Sequence, residues 1–370
     1  MPAPSDRFVA LDAFRGMTIA AMILVNTPGS WSHVYSPLRH ASWHGCTPTD
    51  LVFPFFLFIT GTAMWFSFRK HSAGLDKPMV LRILRRAGII FGLGLLLNAF
   101  PFYRDYDNFR YFGVLQRIGI CYGLAAFLCL GLRPRRLATV SAVLLLGYWA
   151  LLTSFGGDRP YDLETNLVRR MDLALFGANH LYRGTGIAFD PEGLLSSLPA
   201  VVSVVLGYLT GRAIHQHGRD PILLRRMIAA GVVGVVSGYA WDFVFPINKH
   251  LWTSSYVIFT AGWAWLTLAT LIWCIDFRSY SRWTIIPNVF GMNSLFSYVL
   301  SILWILVYIH LVRLTGSEGQ SVNGYQWLYE TLFLPLAGPL NGSLLFALGH
   351  VVLFWAIAWL LYRRRIFIRI

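Results

Sequence analysis

Acidic residues are scarce in this chain: 17 Asp and Glu stand against 31 Lys and Arg in 370 residues, and all charged residues together make up 13%. A soluble domain carries about a quarter charged residues, so a water-facing globule is excluded. With 56% hydrophobic residues, the chain is expected to be a polytopic membrane protein. Cysteine is also rare. Cys121, Cys129 and Cys274 fall in apolar stretches and only Cys46 lies outside them, so no disulfide framework is implied. Internal repeats and low-complexity tracts are missing. So is a small-residue cleavage pattern after the first apolar stretch, which begins near Leu11, carries Asp12 and Arg15, and is followed by Asn26 and Pro28. The first helix is expected to be retained.

What is present is a series of apolar segments of about 20 residues, the length that crosses a bilayer as a helix. They lie near 11-27, 50-68, 84-102, 112-132, 138-155, 193-211, 227-245, 254-275, 284-312 and 343-362. The sequence therefore predicts an all-α fold: one transmembrane domain over 1-370, a bundle of about ten helices. The net charge of +14 would suggest nucleic acid in a soluble protein, but here its distribution matters more. Twenty-one of the 31 cations fall on the side of the termini, nine fall on the other side, and Arg117 lies inside a span. The positive-inside rule then predicts cytoplasmic termini, and no nucleic-acid partner is expected. The two longest connections, 156-192 and 313-342, face outward, and the apolar run "YETLFLPLAGPL" in the second reads as a re-entrant or interfacial segment.

Polar residues at membrane depth are costly and usually face a cavity or a partner. They gather in four places. In "LRHASWHGCTPTDLVFPFFLF", His40 and His44 precede Asp50, with Asn26 ending the first span on the same side. Thr47 as N-cap, Pro48 and Asp50 at the third position fit a helix start, and Asp50 equally fits a carboxylate orienting an imidazole that takes a proton. His33, His40, His44 and Cys46 match no zinc spacing, and no metal is expected. In "VLQRIGICYG", Gln116 and Arg117 enter the fourth span; Arg117 fits a side chain that snorkels to the interface, an ion pair with Asp105 or Asp107, or a contact to an anionic or carbonyl group of a ligand. In "FDPEGLLSSLPA", Asp190 and Glu192 fit helix capping or the binding of a cationic or hydroxyl-rich ligand. In "FPINKHLWTSSYV" and "GMNSLFSY", Asn248, Lys249, Trp252 and Tyr256 set an aromatic beside amide and hydroxyl groups, as suits a sugar, while Asn293 and Ser294 lie within the ninth span, where an amide also joins helices.

In order and style these segments, with "LDAFRGMTIAAMILVN" before them, resemble the heparan-alpha-glucosaminide N-acetyltransferase family of transmembrane acyltransferases. The resemblance runs from about Leu11 to about Leu300, and "HASW" to "DLVFP" is its most specific part. It implies acetyl transfer from cytosolic acetyl-CoA to the amine of a glucosamine unit across the membrane. It also implies catalytic roles for His40, Asn26 and Asp50. His44 stands where the animal enzyme has asparagine, and the connection from Asn26 to His40 is longer. His40 then acts as general base or accepts the acetyl group covalently, and Asn26 donates to the thioester oxygen. Arg15, Arg117, Asn293 and Ser294 are the candidates for holding acetyl-CoA. Asp190, Glu192, Asn248, Lys249, Trp252 and Tyr256 are those for the amino-sugar acceptor. The resemblance further suggests a homodimer. The competing reading is an amino-sugar transporter, a class that usually shows repeat symmetry. An acyltransferase acting on envelope polysaccharide shares the chemistry.

Overall fold

The computed structural model describes residues 8–69, 74–102, 106–316 and 319–368. Arg7, Lys70, Arg104 and Arg369, counted in the charge map, and Asp105, a candidate partner of Arg117, lie outside the described residues.

The chain is an all-α polytopic bundle. Its helices are α1 (Val9–Asn26), α2 (Val52–Phe68), α3 (Lys77–Ala99), α4 (Val114–Gly131), α5 (Pro134–Phe155), a short outer α6 (Leu167–Phe176), α7 (Ser197–His217), α8 (Pro221–Asp242), α9 (Ser254–Ile272), α10 (Ile285–Met292), α11 (Ser294–His310), α12 (Gly324–Leu328) and α13 (Leu334–Arg363). Among the described residues, eight helical stretches are long and apolar enough to cross a membrane. A ninth results if α10 and α11, which meet at 69°, form one broken span. The segment expected near 84-102 is α3, which stands outside that count because Lys77, Arg82, Arg85 and Arg86 occupy its first three turns. Helices α3, α5 and α8 all begin with proline in the first turn, and Asp76 and Asp220 cap two of them through the N–H groups of Met79 and Ile222.

Contacts between distant segments give the bundle two chemically distinct ends. One carries the start of α1, the end of α13 and the arginines of α3; the other carries the loop 27–47 and the connections 156–196 and 243–253. The apolar run expected to be a re-entrant or interfacial segment is helical. A π-helical turn, Tyr329–Phe333, leads into α13, which kinks at Gly338 (φ 75°) and continues to Arg363. At the same end Arg313–Thr315 pairs antiparallel with Ser321–Asn323 as a small ribbon.

Two close approaches fix the frame. A Cβ at Gly61 of α2 would sit 1.9 Å from the Val204 carbonyl oxygen, and one at Gly207 of α7 would sit 1.8 Å from that of Phe58. The two backbones therefore touch, as small residues allow between membrane helices. Gly16 of α1 and Gly291 of α10 meet in the same way, 1.6 Å from Pro287 O and 2.5 Å from Asp12 O. That contact sets the α10–α11 break beside Arg15.

Candidate active site

The loop ahead of α2 is organised by one carboxylate. Asp50 Oδ2 accepts hydrogen bonds from the Thr47 N–H (3.1 Å), the Thr47 hydroxyl (3.0 Å) and the Ala41 N–H (3.0 Å). Its other oxygen, Oδ1, lies 2.7 Å from His40 Nδ1 and 3.2 Å from Lys249 Nζ. One oxygen of Asp50 thus starts the helix and the other faces the imidazole. With Nδ1–H donating to Asp50, the lone pair of His40 stands on Nε2. The Asp50 side chain is 1% exposed and that of His40 35%, so the carboxylate is sealed while the imidazole is reachable. Beneath them the buried Tyr256 hydroxyl donates to the Asp50 carbonyl at 2.5 Å.

Lys249 arrives from the connection between α8 and α9. The Gly45 N–H donates to the Ile247 carbonyl (2.7 Å), and Gly45 and Asn248 form a parallel bridge that ties the two loops together. Lys249 Nζ is 3.0 Å from His40 Nδ1, so His40, Asp50 and Lys249 form one cluster. His44 turns away from it. Its Nδ1 meets the Asn248 amide at 3.3 Å, and burial lowers its pKa against the pull of Asp162 and Asp242. Trp43 stacks on His250, with centroids 5.2 Å apart, and donates to the Tyr161 carbonyl at 2.8 Å.

From the opposite end a cavity of about 960 Å³ enters the bundle. Arg15, Arg82, Arg85 and Arg86 line it together with apolar side chains that reach inward to Phe56 and Ile118. Six residues of helical rise separate Phe56 from Asp50, roughly 9 Å. An anionic head with a long, thin tail suits such a passage.

A sequence profile described as heparan-alpha-glucosaminide N-acetyltransferase, catalytic, matches residues 7–238. The chain belongs to that catalytic family. It is similar to the human heparan-alpha-glucosaminide N-acetyltransferase, 28% identical over 358 residues, which cover 81% of this chain and 53% of the human protein. The mouse protein of the same name is 29% identical over 357 residues, with 80% and 53% covered. The chain thus spans about half the length of the curated relatives it matches.

For this member of the N-acetyltransferase family, the remaining sequence candidates sit as follows. Asn26, the last residue of α1, donates one amide proton to the Met22 carbonyl (2.8 Å); among the described residues no further hydrogen bond engages its second proton or its oxygen, and none joins it to His40 or Asp50. Arg15 contacts Asp12 (3.3 Å) and the Gly291 carbonyl (3.4 Å) and, with Ser294, lines the cavity. The Asn293 amide is taken by the main chain of Ile366 and Ile368. Trp252 and Tyr256 are buried beneath the cluster. Asp190 and Glu192 are both held by Arg110, with contacts of 2.8, 2.8 and 2.7 Å, and Arg110 lies over the Tyr182 ring.

Arg117 is fully buried and makes no ion pair among the described residues. Its Nη2 donates to the Gly193 carbonyl (3.3 Å) and to the Ser196 hydroxyl, and its guanidinium lies 5.0 Å over Trp252. Among the described residues its Nε and Nη1 have no hydrogen-bond partner. The sequence reading missed Asp172, a fully buried carboxyl in α6 that accepts the Leu194 N–H at 3.2 Å through Oδ1, while Oδ2 has no hydrogen-bond partner among the described residues. Burial, reinforced by the Asp190 charge, pushes Asp172 up to about 7 against the opposing effects of the Leu194 N–H and Arg117. A lone aspartate in an amphipathic outer helix carries no sequence signal for this.

Proposed function

We propose that this chain transfers an acetyl group from acetyl-CoA, bound at the end that carries the termini, to the amine of glucosamine or a glucosaminide at the opposite end, in a bacterial inner membrane with cytoplasmic termini. The observation that carries the reading is the arginine-lined cavity that enters from one end and runs to within two helical turns of the His40, Asp50 and Lys249 cluster at the other. The phosphates of CoA cannot cross hydrocarbon. They would stay with Arg15, Arg82, Arg85 and Arg86 while the apolar walls of the passage take the pantetheine arm and its thioester.

His40 acts as general base through Nε2. It takes the proton of the acceptor amine as the amine nitrogen attacks the thioester carbon, and Asp50 fixes its tautomer. The carbon–sulfur bond then breaks and the thiolate leaves toward the cavity. The free donors of Arg117 and the second amide proton of Asn26 serve the carbonyl oxygen as it becomes negative. Lys249 and the outer loops 27–47 and 156–196 receive the sugar, the buried Asn248 holds the Lys249 loop through the Leu251 N–H (2.8 Å) and His44, and Asp190 and Glu192 shape the site through Arg110.

The test uses purified protein in detergent with labelled acetyl-CoA and glucosamine, reading label in N-acetylglucosamine. His40→Ala should abolish transfer and His44→Ala should retain most of it. Equal activity of the two variants would refute the assignment of the base, and no label in any amino sugar from the intact chain would overturn the activity itself.

A further inference from the structure

The last described residues return to the bundle. Arg365 takes a left-handed conformation (φ 56°), and the N–H groups of Arg365 and Ile366 close onto the carbonyls of Tyr362 (3.0 Å) and Leu361 (2.9 Å). This is the paired-bond helix stop that normally uses glycine. The turn reverses the chain and lays residues 366–368 along the break between α10 and α11. There Asn293, 1% exposed, grips the strand from both directions: its Nδ2 donates to the Ile366 carbonyl (3.0 Å), and its Oδ1 accepts the Ile368 N–H (2.8 Å). Bonding residues two apart on one strand is the pattern of a β-ladder, reproduced by a single side chain. Ile368 then lines the cavity together with Gly291, Met292, Ser294 and Arg15.

We propose that the segment 366–368, clamped by Asn293, is a wall of the donor site that closes beside the phosphate-bearing end of the acyl carrier. The inference rests on the donor reading given above, and it concerns residues outside the stretch that the family profile matches. Asn293 is therefore a positioning residue that acts through the tail. A three-residue strand held by two hydrogen bonds gains little over the conformational freedom it gives up. Contacts with a bound carrier decide whether it stays closed.

CoA itself, which cannot react, is the probe. Its affinity is measured by titration calorimetry for four forms of the full membrane protein in detergent: the intact chain, Asn293→Leu, the chain truncated after Arg365, and the two changes combined. Each single change should weaken CoA binding about tenfold, the loss of two ordinary hydrogen bonds. The combination should be no worse than either alone, because each removes the same contact. Asn293→Gln, which keeps both amide functions, should recover part of the loss, and in every altered form KM for acetyl-CoA should rise by more than kcat falls. If the intact chain binds CoA and the truncated chain binds it equally well, or if the two changes add, the tail inference is overturned while the donor reading stands. If the intact chain does not bind CoA, both fall together. The truncated chain keeps the test decisive should Asn293→Leu fail to fold.

Discussion

Arg117→Met separates a structural role of the buried guanidinium from a chemical one. The change removes two charge-assisted hydrogen bonds, each worth about 1.5–3 kcal/mol, and a desolvated contact with the Trp252 ring worth about 2 kcal/mol. The partners are not orphaned: the Gly193 carbonyl still accepts the hydroxyls of Ser196 (3.2 Å) and Ser197 (2.9 Å). On the other side stands the cost of holding an unpaired cation out of water, several kcal/mol per ion even after relaxation. The two sides nearly cancel, and methionine fills much of the volume. Unfolding in detergent should therefore shift by no more than about 2 kcal/mol in either direction, whereas turnover at saturating acetyl-CoA should fall at least about 100-fold through loss of oxyanion stabilisation. If Arg117→Met instead lost about 4 kcal/mol or more while its folded fraction turned over at the wild-type rate, Arg117 would be a clamp on the 193–197 turn and its assigned chemistry would be wrong.

Burial pushes the Asp172 carboxyl from its ordinary value of 3.8 up to about 7. The folded state then binds the proton more tightly than the unfolded one, so the neutral carboxyl favours folding at low pH, and stability falls as pH rises from about 4 to about 7. The loss reaches at most about 4 kcal/mol above that range. Asp172→Asn should remove most of the slope and raise the melting temperature at pH 8; an unchanged stability–pH curve would contradict this placement of the carboxyl. Asp50→Asn should cost roughly 2–3 kcal/mol of stability, since two backbone N–H groups and Lys249 lose a charged acceptor. It should also lower acetyl transfer by about 10²–10⁴-fold, because the imidazole loses the group that sets its tautomer, and full turnover by this variant would exclude Asp50 from that role. Gly207→Ala drives a methyl against the Phe58 carbonyl and should lower the melting temperature by many degrees. Gly92→Ala, with nothing within 4 Å of the new carbon, should stabilise α3 by about 0.5–1 kcal/mol.

Apolar run lengths located the membrane helices, because a bilayer imposes one length on every span. The intermediate case, α3, mixes four cations with its apolar face, and run length alone does not decide it. The pairing of His40 with Asp50 was legible because only ten residues separate them and a helix start joins them. Lys249 was read as a sugar contact, and nothing local says that it lies 3.0 Å from an imidazole 209 residues away. The same holds for Arg110, which occupies both Asp190 and Glu192 across a separation of about 80 residues. Asn293 read as glue between helices or as a ligand contact, yet its partner is the main chain 73 to 75 residues later. In each case the path of a connection fixes the partner, and periodicity carries no record of that path.

Because α2 and α7 meet backbone on backbone, neither can slide or roll past the other without collision. A carrier that works by swinging one half of its body against the other needs a compliant seam, and this central pair offers none.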